Sequence, residues 1–312
     1  MMRGWKSAEQ SLAEDIVSAS APCRIDAGGT WDIRALALPC RIELPATVNI
    51  ALDLRTYVQL LPYEEGSIKI SSSGFHEAES ANVDSIPFDS RFGLFFAAAS
   101  HFGFHGLEIR IESGSPVQAA MGGSSTALVA LLRALSHLEK RFAGAERPRA
   151  EILRLAFVLE DSLSGGFCGM QDHAAAVYGG VNRWFWSYGE GGLFQRDRLV
   201  DKESTGLLNE RLVVAHSGKR HVSSLTNRKW VADFLSGRTR QGWIEVNRIV
   251  NDFAGCIRRK TWKEAVVFLR KEMDLRHSLT PEAFTPLTES MVARAEDEGG
   301  AARFTGAGAG GA

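Results

Sequence analysis

The stretch from Pro116 to Leu128, P-V-Q-A-A-M-G-G-S-S-T-A-L, constrains this chain more than any other. It follows Leu107 to Ile111, whose alternation of apolar and polar residues reads as a half-buried strand. It runs directly into T-A-L-V-A-L-L-R-A-L-S-H-L-E-K-R, a helix that is apolar nearly all round. Small residues between a strand and a helix let backbone N–H groups approach phosphate oxygens closely, and the helix N-terminus adds a positive dipole end. The hydroxyls of Ser124, Ser125 and Thr126 suit a phosphate or a phosphate-bound cation. Two better-known phosphate loops are excluded: no G-K-[ST] follows the glycines, and the G-x-G-x-x-G dinucleotide pattern is absent. A Ser-capped helix after a glycine turn is the plain alternative.

Two further segments carry charge into glycine-rich turns. In A-P-C-R-I-D-A-G-G-T-W-D-I, Arg24 and Asp32 flank Gly28-Gly29, so a cation and an anion can face one cleft; a surface turn with a salt bridge is the simpler reading. In E-D-S-L-S-G-G-F-C-G-M-Q-D-H-A-A-A-V-Y-G-G, Glu160 ends a helix and Asp172 follows a glycine loop. Phosphoryl transfer uses one carboxylate on Mg²⁺ and often a second to accept the proton of the attacking hydroxyl. Paired acids around a glycine loop are also frequently just solvated.

Composition narrows the classes. The formal net charge is −1, with no basic block, which argues against nucleic acid as a partner. Cys23, Cys40, Cys168 and Cys256 are far apart, with no C-x-x-C pair, so neither a zinc knuckle nor a disulfide framework is expected. No apolar run approaches the roughly 20 residues of a membrane span. A soluble, cytoplasmic chain is expected, with no membrane partner.

The coarse element reading is α+β rather than regular β-α-β alternation. The first ~18 residues read as a polar, weakly helical tail. Ala46 to Leu61 reads as two strands or one long bent one, and Ser67 to Ser71 as a strand. Phe92 to Phe102, Pro148 to Glu160 and Asp172 to Tyr178 are predicted helices, and Arg211 to His216 a strand. Thr226 to Ala295 is predicted mostly helical with a break near Thr280-Pro281. Trp184, Trp186 and Tyr188 alternate and are expected to pack on one strand face. His173 is expected to be a bystander, and Trp31 to shape a substrate pocket.

Taken in order, the three segments resemble the GHMP kinases (galactokinase, homoserine kinase, mevalonate kinase, phosphomevalonate kinase). The glycine-serine loop is similar to P-x-x-x-G-L-G-S-S-A, with Ala120 and Met121 where Gly and Leu are usual and Gly123 as an extra small residue. The closing A-R-F-T-G-A-G-A-G-G-A resembles a third family motif. Arg24 to Asp32, Asn49 to Val58 and Gln171 to Gly180 resemble segments of heptose 7-phosphate kinases and fucokinases in particular, as does Ser217 to Leu225, a possible phosphate contact.

The resemblance implies a two-lobe fold: a first lobe like ribosomal protein S5 over residues 18–200, and a ferredoxin-like second lobe over 201–312. The chain stops inside the third motif, so a truncated second lobe with an uncovered edge is expected. ATP and Mg²⁺ are the implied cofactors, and a sugar or sugar-phosphate the substrate, with the anomeric C1 hydroxyl of a heptose 7-phosphate or fucose-like sugar as acceptor. Asp172 is implied as catalytic base or hydroxyl-orienting carboxylate, and Arg24 as the cation that neutralises the transferred group and depresses the pKa of Asp172 or of the acceptor hydroxyl. Gly122, Gly123, Ser124, Ser125 and Thr126 are implied as the phosphate cradle, and Glu160 and Ser124 as Mg²⁺ ligands. Asp32, Gly29 and Thr30 are implied at the substrate. A catalytically silent sugar- and ATP-binding regulator on the same scaffold is the rival; retention of Arg24, Glu160 and Asp172 speaks against it.

Overall fold

One long strand organises the molecule. The computed structural model describes residues 4–29, 31–40, 43–189, 192–219 and 223–310. The chain opens with β1 (Lys6–Ser7), α1 (Glu9–Glu14), β2 (Val17–Gly28), α2 (Arg34–Ala37) and β3 (Ala46–Pro62). Next come β4 (Ser67–Ser72), β5 (Glu79–Asn82), α3 (Gly93–Phe102), β6 (Phe104–His105) and β7 (Leu107–Ser113). They are followed by α4 (Gly123–Ala143), α5 (Arg149–Leu163), α6 (Gln171–Tyr178), β8 (Val181–Gly189) and β9 (Gly192–Arg198). The remainder contains α7 (Thr205–Asn209), α8 (Ser223–Leu235), α9 (Arg240–Arg259), α10 (Trp262–Leu279), a 3-10 turn at Pro281–Ala283 and α11 (Pro286–Asp297).

β3 is a single 17-residue strand, which resolves the two readings its alternation allowed. β2 pairs antiparallel with it from Val48 to Leu60. Ala46 to Ile50 also pair with β8, and Thr56 to Pro62 with β7, so β7 and β8 share the edge of β3 opposite β2. The seven-stranded sheet runs β5-β4-β7-β3-β8-β9, with β2 beside β3.

Two cores lie along this strand. Val58, Leu60 and Ile109 pack with Phe96 of α3 and with Leu128, Leu132 and Leu135 of α4. Val48 and Ile50 pack with Trp230, Phe234, Trp243, Val250 and Phe253 of α8 and α9. The second core also takes Ile25, Trp31, Ile33 and Leu36, so a cut at residue 200 does not separate the two. The leucines of α4 are fully buried, and each contributes roughly 1.5–3 kcal/mol by its burial.

Several expectations change on inspection. The N-terminal segment is not a loose tail: Ala8 and Leu12 are completely buried in the first core. Arg211 to His216 forms no strand and pairs with no described strand; Val213 is 89 % exposed. Among the described residues no strand follows Arg198, so a ferredoxin-like sheet is not seen in the second lobe. Trp31 stacks on Trp243 at 5.9 Å inside the second core and lines no substrate cavity. Trp184 and Trp186 stack at 5.9 Å, and their indole N–H groups donate to Asn49 and Thr47. They pack, as expected, with Tyr188 stacked beyond them. No described helix is long and apolar enough to cross a membrane.

Candidate active site

The glycine-serine loop is pinned by an irregularity in β2. The β2–β3 register shifts between Pro22 and Arg24, and the Arg24 amide donates to the Met121 carbonyl at 3.2 Å. The loop then winds through positive φ at Gln118 (58°), Ala120 (59°) and Gly122 (72°). At Gly122 a side chain is excluded on two counts, since an added Cβ would lie 3.2 Å from Asp172.

Gly122 is the N-cap of α4, with no side-chain cap. The first helical hydrogen bond is Thr126 N to Gly122 O, at 2.8 Å, so the amides of Gly123, Ser124 and Ser125 have no acceptor within the helix. These three residues line a cavity of about 450 Å³ together with Arg24, Asp32, Glu160, Asp172 and Gly306. Thr126 does not belong to this group, which corrects the expectation. It is fully buried, its amide is committed to the helix, and its hydroxyl donates to Gly122 O at 2.7 Å.

Arg24 is the hub. It is 4 % exposed and donates to Asp172 Oδ1 from Nε at 2.7 Å, with Nη2 at 2.6 Å from the same oxygen. Its Nη1 donates to Ala120 O at 2.7 Å and to Thr305 Oγ1 at 2.9 Å. Burial works against the guanidinium charge, but Asp172 and Asp26 more than offset it, and the arginine is held more firmly protonated than usual. For Asp172 the balance goes the other way. Burial raises its pKa, Arg24 lowers it, and the net shift is upward. Arg24 therefore does not depress Asp172 below its ordinary value, and a raised carboxylate is the better proton acceptor.

The opposite wall is a hydroxyl-carboxylate-imidazole cluster. Ser124 Oγ donates to Glu160 Oε1 at 2.7 Å, and Ser125 Oγ to Oε2 at 2.6 Å. His173 Nε2 lies 2.6 Å from the same Oε2, with the ring completely buried. Burial disfavours the Glu160 charge, yet the bonds from His173, Ser125 and Ser124 win and lower its pKa. His173 moves up: burial lowers it, and the bond to Glu160 outweighs that. His173 is thus no bystander, and helical rotation explains why. It sits one residue past Asp172, a turn of about 100°, which aims it at α5 instead of Arg24.

Asp32 is 3 % exposed, and its Oδ2 accepts from the Gln171 amide at 2.8 Å. Gly169 makes this approach possible, because a Cβ there would fall 2.0 Å from Oδ2. Burial raises the Asp32 pKa to about 7, with Gln171 pulling down and Asp172 and Asp26 pushing up. Gly29 does not line the cavity; it is buried and its carbonyl accepts from Arg303. Thr30 lies outside the described residues, as do Arg220 to Val222 of the Ser217–Leu225 segment. Ser217 lines a different cavity.

No role was expected of Thr305, Gly306 or Ala307, although the T-G-A-G run was a visible signal. The Thr305 hydroxyl also accepts from the Asp26 amide at 2.9 Å, and Gly306 N donates to Asp26 Oδ2 at 2.8 Å. The closing segment is thereby docked on β2 and supplies one wall of the cavity.

Residues 92–180, which hold the loop, Glu160 and Asp172, match the family model described as GHMP kinases N terminal domain. Over that stretch the chain is similar to the GHMP kinases. A mevalonate kinase from Thermococcus sibiricus is 26 % identical over 326 residues, covering 95 % of this chain and 87 % of that one. The same two-lobe α+β fold is seen in Streptococcus pneumoniae phosphomevalonate kinase in complex with phosphomevalonate and AMPPNP (TM-score 0.75, 13 % identity, 95 % and 90 % of the two chains). It is also seen in a D-glycero-D-manno-heptose 1-phosphate kinase from Bacteroides thetaiotaomicron (TM-score 0.59, 17 % identity, 83 % and 79 %). The narrower kinship with heptose 7-phosphate kinases and fucokinases is corrected by these matches, since the curated relatives found are mevalonate kinases.

Proposed function

We propose that this chain is a GHMP superfamily member and an ATP-dependent kinase that phosphorylates a hydroxyl of a small metabolite. The observation that carries the reading is Arg24 held between Asp172 and the loop carbonyl of Ala120, facing Glu160 and Ser124 across one cavity. The donor set fits Mg·ATP. Three unpaired helix amides with no side-chain cap suit phosphate oxygens, and the Ser124 hydroxyl and Glu160 carboxylate are the oxygen ligands Mg²⁺ prefers. When bound, Mg·ATP supplies the transferable phosphoryl group.

The chain's own residues do the rest. Asp172 takes the proton of the acceptor hydroxyl as the new O–P bond forms and ADP departs. Arg24 orients Asp172 and places positive charge beside the transferring group. Ser125 and His173 hold Glu160 ionised and aimed at Ser124. A silent regulator would need neither the Arg24–Asp172 pair nor the Glu160 cluster.

For the acceptor, the carboxylates of Asp32, Asp172 and Glu160 on the cavity lining suit the hydroxyls of a polyhydroxylated molecule, a sugar. The anomeric C1 hydroxyl of a heptose 7-phosphate or fucose-like sugar is the acceptor given by the segment likenesses. Mevalonate is the second acceptor, favoured by the Thermococcus sibiricus relative. An ADP-release assay with Mg·ATP against hexoses, fucose, heptose 7-phosphate, mevalonate and phosphomevalonate tests both. Turnover with one class names the acceptor; ATP binding without turnover on any of them overturns the kinase reading.

A further inference from the structure

Beside the cavity, three side chains of different chemistry converge. Glu160 stands near the end of α5, Cys168 on the loop that follows, and His173 in the first turn of α6. Gly165 and Gly166, both at positive φ, turn the chain between the helices. A carboxylate oxygen, the thiol sulfur and a ring nitrogen all lie within 4.8 Å of one another.

We propose that Glu160, Cys168 and His173 form a binding site for a thiophilic divalent cation, with Zn²⁺ as the fitting ion, and that its occupancy withdraws Glu160 from Mg²⁺. The second half rests on the proposed function; the first does not. One sulfur, one nitrogen and one oxygen donor make a set that Zn²⁺ takes readily, whereas Mg²⁺ gains nothing from a thiol or an imidazole. Ligand atoms around a tetrahedral zinc lie about 3.3–3.8 Å apart, so a triangle with no side above 4.8 Å closes on the ion by shifts of about 1 Å. Ser124 and Ser125, already bonded to Glu160, are the neighbouring hydroxyls from which a fourth ligand can come.

Two independent observations point to a ligand here. The buried His173 ring has one nitrogen, Nδ1, with no hydrogen-bond partner, so the imidazole is only half satisfied. The surrounding charge is also one-sided: Asp32, Asp172 and Glu160 line the same cavity as Cys168, and Asp161 Oδ1 accepts from the Cys168 amide at 3.3 Å. Asp161 is paired with Arg34, and Asp172 with Arg24, which among the described residues leaves Asp32 and Glu160 with no basic side chain other than His173. One thiol proton leaves for each ion bound.

The test uses Cd²⁺ as probe on the full chain, without nucleotide or acceptor, reading thiolate-to-metal charge-transfer absorption. The band should saturate at one equivalent, vanish in Cys168→Ser and persist in Cys40→Ser. Glu160→Gln and His173→Gln should each weaken Cd²⁺ binding by at least about tenfold, with circular dichroism unchanged. No band at stoichiometric Cd²⁺, or a band that survives Cys168→Ser, overturns the site. Because no ATP is present, a failed kinase assay leaves this result untouched. In the turnover assay, Zn²⁺ should inhibit the parent at least about tenfold more strongly than Cys168→Ser. Equal inhibition overturns the competition with Mg²⁺.

Discussion

Arg24 and Thr305, 281 residues apart in the chain, meet through a buried 2.9 Å hydrogen bond from Nη1 to the hydroxyl. The same hydroxyl accepts from the Asp26 amide, so a single oxygen ties the closing segment to both the hub arginine and β2. Thr305→Val keeps the shape and removes that acceptor from a buried amide and from one guanidinium N–H. Thermal unfolding should show a loss of about 1–3 kcal/mol. The kcat should fall while KM for ATP holds, because Arg24 loses an anchor and the cradle does not. An unchanged kcat would remove Thr305 from the positioning of Arg24.

Asp172→Asn keeps the bond to Arg24 and abolishes the proton acceptor. Turnover should drop by roughly 10²–10⁴-fold with ATP affinity preserved in a calorimetric titration. Retention of most of the kcat would show that the acceptor hydroxyl is deprotonated elsewhere.

Asp32 makes a pH prediction whose direction is fixed by its raised pKa of about 7. The folded state holds this proton more tightly than the unfolded chain does. Its contribution is therefore fully present below about pH 4 and lost as pH rises through about 7. Asp32→Asn should gain stability relative to the parent across that window, and nothing below it. For activity the sign is opposite: the ionised carboxylate accepts from acceptor hydroxyls, so KM for the acceptor should fall as pH rises through 7. A parent and variant with parallel stability profiles would refute the assignment.

Ala120 sits at φ 59°, where an L side chain costs about 1–2 kcal/mol. Ala120→Gly should release part of this, offset by the greater freedom of glycine in the unfolded chain, for a net gain of up to about 1 kcal/mol. Differential scanning calorimetry measures it. A destabilised variant would mean that the Ala120 methyl, 3.4 Å from the position of a Cβ on Gly306, packs usefully against the closing segment.

The sequence was a good guide where chemistry and local geometry coincide. Ser124 and Glu160 were paired by the family resemblance, and they meet at 2.7 Å. Thr126 shows the limit. Along the string it extends the row of hydroxyls, but each helical step turns by about 100°, so the third hydroxyl faces the core while the first faces the cavity. His173 was passed over for the same reason, since its partner is 13 residues back on another helix. Arg211 to His216 has the composition of a strand, yet a strand needs an edge to pair with, and no six-residue window reveals that edge. Ala8 and Leu12, one helical turn apart, were a legible apolar stripe that the polar residues around them obscured.

The docking of residues 303–307 on β2 has a consequence for the chain as it is made. Arg24 and Asp32 leave the ribosome before the loop and the two carboxylates, and Thr305 follows Arg24 by 281 residues. Until Thr305 arrives, Arg24 has no hydroxyl to fix Nη1 and the cavity lacks a wall. A nascent chain can fold its first core around α4 and still be unable to hold a phosphoryl group in place. The site that would spend ATP is assembled only when early and late segments of one polypeptide meet, so an unfinished copy stays inert.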